Sequence, residues 1–314
     1  MAAVLTAARP LDARRVLLAA ATLLAFGVVG LGAYVRLSDA GLGCPDWPGC
    51  YGQLVGVPDA AHDAARAWKE MIHRYLAGTL GLAIGALTVL AWRQRVRPLA
   101  TTLLAGVVVC QALLGMWTVT LLLKPVIVTA HLLGGMTTLA LLVWLTLDAG
   151  TGGPPLPAGV RPLALAALLV VLLQIALGGW VSSNYAALAC PDFPACRSGD
   201  WPAMDFGHAF SFRRELGQTA DGAGLPFAAL TAIHWSHRLW ASVVLLAVGL
   251  LAGRLTRHPA WRRAAVGLAT LLVLQVGLGI ANVLLSLPLP LAVAHNLGAA
   301  LLLAALVAVN FRRA

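Results

Sequence analysis

Apolar side chains fill eight stretches of the chain almost without interruption, and polar segments separate these stretches. Each stretch is about 20 residues long, the length at which an α-helix crosses the roughly 30 Å hydrocarbon core of a bilayer. The pattern therefore predicts an all-α integral membrane protein with eight transmembrane helices. The predicted helices cover roughly residues 16–35, 72–92, 100–121, 126–147, 162–181, 232–252, 264–285 and 290–310.

Composition supports this interpretation, because 60% of the residues are hydrophobic and only 11% are charged. A soluble domain cannot bury so much apolar surface. The net charge of +10 comes mainly from arginines that precede the first helix, follow the second, separate the sixth from the seventh and end the chain. With an even number of helices these segments share one side, so the positive-inside rule predicts cytoplasmic N- and C-termini and outer loops at 36–70 and 182–231. The basic charge thus indicates topology, and no nucleic-acid partner is expected.

One short motif occurs twice, as CPDWPGC at residues 44–50 and as CPDFPAC at residues 190–196. Further matches follow each copy in the same order, which predicts a duplicated four-helix unit. Because each unit has an even number of helices, both copies face the same way, and a pseudo-twofold axis along the membrane normal should relate them. The predicted bundles occupy 1–147 and 162–314, and a Gly- and Pro-rich cytoplasmic linker, 148–161, joins them.

Four histidines lie inside the predicted helices, two in each half: His73 and His131, then His237 and His295. An ionisable side chain at membrane depth is costly and indicates a functional site. Each pair falls on the second and fourth helices of its half, at a similar depth near the outer leaflet. Facing imidazoles in a helix bundle suit the two axial positions of a haem iron, whereas zinc would need further ligands that neither half supplies. The sequence thus predicts two haem sites.

The two halves differ beside these histidines. Glu70 lies three residues before His73, near the same helix face, and His234 takes the matching position in the second half. Arg36, at the outer end of the first helix, is likewise matched by Ser182. The half with the added acid is predicted to carry the reaction, and the other half a permanent cofactor. The alternative for Glu70 is a surface charge at a helix N-terminus, where carboxylates are favoured.

Arg74 and Arg238 directly follow the first histidine of each pair. Each guanidinium could form charge-assisted hydrogen bonds to a haem propionate, or it could reach the membrane interface as a plain basic side chain. The sequence leaves both interpretations open.

Five cysteines are present, and four of them belong to the repeated loop motif. On the oxidising outer side, these four are expected to form two short bridges, Cys44–Cys50 and Cys190–Cys196. Each bridge would be a local clip above a haem bundle, worth about 2 kcal/mol in the chain-entropy model, and a redox role stays open. The fifth, Cys110, is predicted to be a small packed residue of the third helix.

Five segments together resemble the haem A synthase family: GLGCPDWPGCYG, EMIHRYLAG, TAHLLGG, HWSHR and AHNLG. The resemblance covers essentially the whole chain, including the tandem halves. It implies an enzyme of the bacterial cytoplasmic membrane that oxidises the C8 methyl of haem O to a formyl group by successive hydroxylation. The product, haem A, would serve aa3-type cytochrome oxidases.

The resemblance also implies roles for individual residues. Haem O would bind between His73 and His131, with Glu70 as the family's catalytic glutamate, and a haem b cofactor would bind between His237 and His295. Haem O synthase and oxidase assembly factors are the protein partners that it implies, in a setting of membrane lipid. The added acid in the N-terminal half agrees with a reaction site in that half and a cofactor site in the other.

Two other classes of protein share some of these features. A b-type electron-transfer cytochrome or haem carrier of the membrane would explain the histidines but not the difference at Glu70. A membrane thiol oxidase would explain the outer cysteines, but their spacing is C-x5-C rather than the reactive C-x-x-C, and it gives no reason for the paired histidines.

Overall fold

The computed structural model describes residues 13–58, 63–150, 152–197 and 201–311. Within these ranges, eight helices are long and apolar enough to cross a membrane, which confirms the predicted all-α membrane fold. They are α1 Ala13–Leu37, α2 Ala64–Gln94, α3 Pro98–Thr120, α4 Pro125–Ala149, α5 Arg161–Ser183, α6 Phe227–Leu255, α7 Arg262–Leu284 and α8 Leu289–Phe311. The terminal arginines that contribute to the topology prediction lie outside the described residues.

The start of α2 departs most from the predicted boundaries, because the helix begins at Ala64, about two turns early. Its first two turns hold charged side chains that lower the hydropathy, yet most of these residues are good helix formers. Asp63 caps the helix by accepting a hydrogen bond from the Arg66 N–H at 3.0 Å. Hydropathy marks only the membrane-spanning part of a helix, so Glu70 and His73 lie in about the second and third turns of α2 rather than at its start.

The outer loops are correspondingly shorter than predicted. The first loop ends at Asp63, where α2 begins, rather than at residue 70. The second runs from the end of α5 to Phe227 and contains a 3₁₀ turn, Ala186–Leu188, and a one-turn helix, Phe206–Ala209. Both loops cover the ends of the helices that carry the paired histidines.

Each half is a closed ring of four helices with the same neighbours. In the first half α1 packs on α2, α2 on α3, α3 on α4 and α4 on α1, and α5 to α8 repeat this order. The second and fourth helices of each half therefore stand diagonally opposite each other. This arrangement directs side chains from both of them into the interior of the ring.

The two halves meet through α1 and α4, which pack against α8, and through α4 and α5. A single apolar core runs through both rings and includes Leu18, Leu142, Leu251 and Leu306, each almost fully buried. Lipid tails are as apolar as these side chains, so the gain comes from close packing rather than from removal of water. Because the two rings share this core, the structure does not separate them into independent units, and the division into an N-terminal and a C-terminal unit stays a prediction.

Residues at matched positions of the two halves touch each other at the outer surface. Arg36 donates a hydrogen bond to the carbonyl of its match, Ser182, at 2.9 Å. Tyr185 donates through its hydroxyl to its match, Asp39, at 3.3 Å, and its ring lies 4.1 Å from the Arg36 guanidinium. Residues related by a twofold axis contact each other only close to that axis. These contacts are what the predicted pseudo-twofold axis requires, and the axis itself stays a prediction.

The orientation in the membrane can be tested with reporter fusions. Alkaline phosphatase folds only outside the cytoplasm, so we expect high activity from a fusion after Val57, in the first outer loop, and none from a fusion after Gly153. A cytoplasmic fluorescent reporter should give the opposite result at the same two positions. Phosphatase activity after Gly153 would contradict the predicted topology.

Candidate haem sites

The first histidine pair lies across the N-terminal ring. His73 on α2 and His131 on α4 come from diagonally opposite helices of the ring. The Nδ1 atom of each ring is buried and has no hydrogen-bond partner among the described residues. A buried polar nitrogen without a partner is costly. Two such imidazoles facing each other suit axial ligation of a haem iron.

The second pair repeats this arrangement in the C-terminal ring. His237 on α6 and His295 on α8 again come from diagonally opposite helices, and each Nδ1 is buried without a partner in the described part of the chain. Across the described ranges, no group of three or more His, Cys, Asp or Glu side chains could hold a metal ion. The structure thus brings together both predicted pairs, and their role as haem ligands stays a prediction.

A glycine on the neighbouring helix makes room for each imidazole. A Cβ atom at Gly32 of α1 would lie 3.0 Å from Cε1 of His73, and a Cβ atom at Gly115 of α3 would lie 3.2 Å from Cε1 of His131. The second half repeats these contacts at 3.1 Å, with Gly178 of α5 against His237 and Gly279 of α7 against His295. A side chain at any of these positions would displace the ring. Sequence analysis missed this role, although the glycines recur at matched positions and so could have been found.

Glutamine amides hold the backbone of three of the four histidines. Nε2 of Gln111 donates to the carbonyl oxygen of His131 at 2.9 Å. In the second half, Nε2 of Gln275 donates to the carbonyl of His295 at 3.0 Å, and Nε2 of Gln174 donates to that of His237 at 3.1 Å. The position that matches Gln174 is Val28, so no amide from α1 reaches His73 in this way. The surroundings of His73 therefore differ from those of the other three histidines.

Glu70 is a buried residue rather than a surface charge, with only 5% of its area exposed. Its Oε2 accepts a hydrogen bond from the Cys44 N–H at 2.9 Å, and its Oε1 forms an ion pair with Arg74. A buried carboxylate needs such partners. The alternative of a solvated charge at the start of α2 is therefore wrong.

The arginines that follow the histidines bind the repeated cysteine loops. Arg74 donates through Nη1 to the carbonyls of Asp46 and Pro48 at 2.9 and 3.2 Å. Arg238 donates through Nη1 to the carbonyl of Asp192 at 2.7 Å and through Nη2 to that of Cys190 at 2.6 Å. Sequence analysis missed this anchoring, and a contact between either arginine and a haem propionate stays a prediction.

Both predicted disulfides are formed, Cys44–Cys50 and Cys190–Cys196. All four cysteines are at most 1% exposed. Thiol–disulfide exchange requires access of an attacking thiolate to the sulfur, so this burial argues against the thiol oxidase and supports the structural clip.

His234 anchors the second cysteine loop as Glu70 anchors the first. Its Nδ1 lies 3.4 Å from the Cys190 nitrogen and its Nε2 lies 3.2 Å from Arg238 Nε, and a neutral imidazole accepts a hydrogen bond at one of these two nitrogens. The two halves thus use an acid and an imidazole at matched positions for the same contact with the loop backbone. Only the first half places a carboxylate there.

A buried arginine in the second outer loop is a further residue that sequence analysis missed. Arg214 is 2% exposed, donates to the side-chain oxygen of Asn184 at 2.5 Å and lies over the ring of Trp180, 5.5 Å from its centroid. Burial lowers the pKa of its guanidinium. The residue fixes this loop on the outer end of α5.

Comparison with known proteins gives a consistent result. The profile of the family described as cytochrome oxidase assembly protein, COX15-CtaA, matches residues 15–307. The chain is 41% identical over 303 residues to a haem A synthase of Shewanella oneidensis, covering 90% of this chain and 92% of that protein. It is 29% identical over 321 residues to a haem A synthase of Caulobacter sp. strain K31, covering 90% of each.

These matches span nearly the whole chain, and both histidine pairs and both cysteine loops lie within the range that the family profile covers. The resemblance drawn from the sequence motifs is therefore confirmed. The chain belongs to the COX15-CtaA family of cytochrome oxidase assembly proteins.

Proposed function

We propose that this membrane protein is a haem A synthase, which oxidises the C8 methyl of haem O to a formyl group by successive hydroxylation. The observation that carries the proposal is the pair of facing imidazoles in each ring, with a buried carboxylate beside only one pair. The names of the relatives point to the same activity. We further propose that the protein lies in a bacterial cytoplasmic membrane with both termini inside.

In this proposal the N-terminal ring binds the substrate and the C-terminal ring binds a haem b cofactor. His73 and His131 hold the haem O iron, and His237 and His295 hold the haem b iron. When bound, haem b supplies an iron centre that takes up electrons. The four glycines beside the imidazoles let the rings face inward, and the glutamines fix the backbone of three of the four histidines.

Glu70 is the proposed catalytic carboxylate. It lies about one turn before His73 on α2, near the same helix face, and would lie beside the edge of a macrocycle held by that histidine. With water as the source of the formyl oxygen, oxidation of the methyl group releases protons, together with electrons that the proposed haem b would take up. A carboxylate at that edge can accept a proton or stabilise developing positive charge. The ion pair with Arg74 and the Cys44 N–H fix the position of its two oxygens.

The proposal also assigns a place in oxidase biogenesis. Haem O synthase would supply the substrate, and aa3-type oxidase assembly factors would receive haem A. The family description as a cytochrome oxidase assembly protein supports this placement. A b-type electron-transfer cytochrome or haem carrier is the alternative, and it does not explain why the first half has a carboxylate where the second half anchors its loop with an imidazole.

Replacing Glu70 separates catalysis from loop anchoring. Glu70→Gln keeps an oxygen that can accept the hydrogen bond from the Cys44 N–H, so we expect normal haem b content and a normal protein level. Because the amide cannot act as the carboxylate does, we expect haem A formation to fall at least about 100-fold and haem O to accumulate. The measurement is chromatography of haems extracted from the purified protein, made in cells that supply haem O. Asp63→Asn, on the same helix, is the control and should form haem A normally. Control-level haem A in Glu70→Gln would contradict the catalytic role, and haem B alone in both rings of the wild type would favour the cytochrome.

The glycine contacts predict a second effect. Gly178→Ala and Gly279→Ala place a methyl within about 3.1 Å of a ligand imidazole, so we expect haem b retention to weaken about tenfold, as for other changes next to metal ligands. Gly277→Ala on α7 is the matched control, because nothing lies within 4 Å of its added methyl.

The readout is the pyridine haemochrome spectrum of each purified variant, normalised to protein. Equal haem b content in Gly178→Ala, Gly279→Ala and the control would show that the ring positions do not depend on these glycines.

A further inference from the structure

A groove runs along the lipid-facing side of the N-terminal ring, between α3 and α4. It is an open groove with a volume of about 600 Å³. Its lining includes Leu103, Gly106, Cys110, Gln111, Gly134 and Thr137. Cys110 was predicted to be packed, but it is exposed here because the groove opens beside it.

The groove reaches the edge of the proposed substrate site. Gln111 lines it and also donates to the carbonyl of His131 at 2.9 Å. Leu114, at the same end, directly precedes Gly115, the residue that makes room for the His131 ring. From Leu114 the groove extends along α3 to Leu103, a distance of about 17 Å at the helical rise. It therefore leads from the haem pocket toward the cytoplasmic end of α3.

The groove also follows the difference between the two halves. The lining positions that carry smaller side chains than their matches in the second half include Gly106 against Thr270, Val107 against Leu271, Cys110 against Leu274 and Thr137 against Leu301. The two residues next to the histidine are the same in both halves, since Gln275 matches Gln111 and Gly298 matches Gly134. Only Leu103, at the far end, is larger than its match, Gly267. The added space thus lies along the middle of the groove.

We propose that this groove holds the isoprenoid tail of haem O, an inference that rests on the proposed function. Haem O differs from haem B by a long isoprenoid tail with a hydroxyl at its root, so the half that receives haem O needs space that the half holding haem b does not. The Oε1 atom of Gln111 is buried without a partner among the described residues and can accept from that hydroxyl. Gln275 leaves the same atom unpartnered, so the tail space, rather than this contact, distinguishes the halves.

We expect the groove to affect the selectivity between haem O and a haem without a tail more than the total affinity for haem O. A tail outside the groove would lie in lipid, which is equally apolar, so the gain comes from fit and from a preformed path. The groove residues are therefore specificity-determining, and they discriminate between haem O and a haem without a tail.

Filling the groove with the residues of the second half tests the proposal. Cys110→Leu and Thr137→Leu, alone and together, should weaken binding of haem O by about tenfold or more, because several methylene groups lose their packing surface. Binding of haem B to the same site should stay within about twofold of wild type, since it has no tail to displace. Val109→Leu is the control, because Val109 is 62% exposed on α3 and does not line the groove.

Each purified protein, with its resident haem b, is titrated with haem O and separately with haem B, and the change in Soret absorbance is followed. A variant with both His73→Ala and His131→Ala supplies the background to be subtracted. Unchanged haem O binding in the filled variants would overturn the proposal and leave a lipid acyl chain as the occupant, and equal weakening for both haems would overturn it as well. If instead the double histidine variant binds haem O like the wild type, the proposed substrate site itself is wrong.

Discussion

The close approach of each imidazole to a glycine of the next helix is the contact on which the interior of both rings depends. An imidazole inside an apolar bundle is costly, and each of the four rings has a buried Nδ1 without a partner in the described structure. A ligand would offset that cost, and haem is the proposed ligand. The glycines leave room for each imidazole beside the neighbouring helix.

The cysteine loops follow from a similar constraint at one end of each ring. A loop folded over a helix bundle needs partners for its backbone carbonyls and N–H groups. Arg74 and Arg238 bind the carbonyls, while Glu70 and His234 contact the backbone nitrogen of the first cysteine of each loop. The loop, the anchoring arginine and the histidine one residue before it thus form one unit in each half. This explains why motif and histidines are repeated together.

Much of this could be predicted from the sequence. The length of the apolar stretches predicts all eight helices, because it depends on local composition alone. The sequence repeat predicts which histidines come together, because matched positions can be read directly from the two halves. The start of α2 was placed wrongly because hydropathy cannot detect a helix that continues into the interface. The anchoring roles of Arg74 and Glu70 were missed because they depend on how a loop folds back over a helix. The exposure of Cys110 depends on the packing angle of α3 and α4, which no local pattern encodes.

Duplication makes the differences between the halves informative. Both rings share glycines, histidines and cysteine clips, so these features serve what the two sites have in common. The differences between the halves include a carboxylate in place of an imidazole at Glu70 and a set of smaller side chains along the α3–α4 groove. They involve different helices and different chemistry, yet both fall in the N-terminal ring. A site that only retains a cofactor needs neither, whereas a site that admits a tailed haem and reacts at its edge needs both.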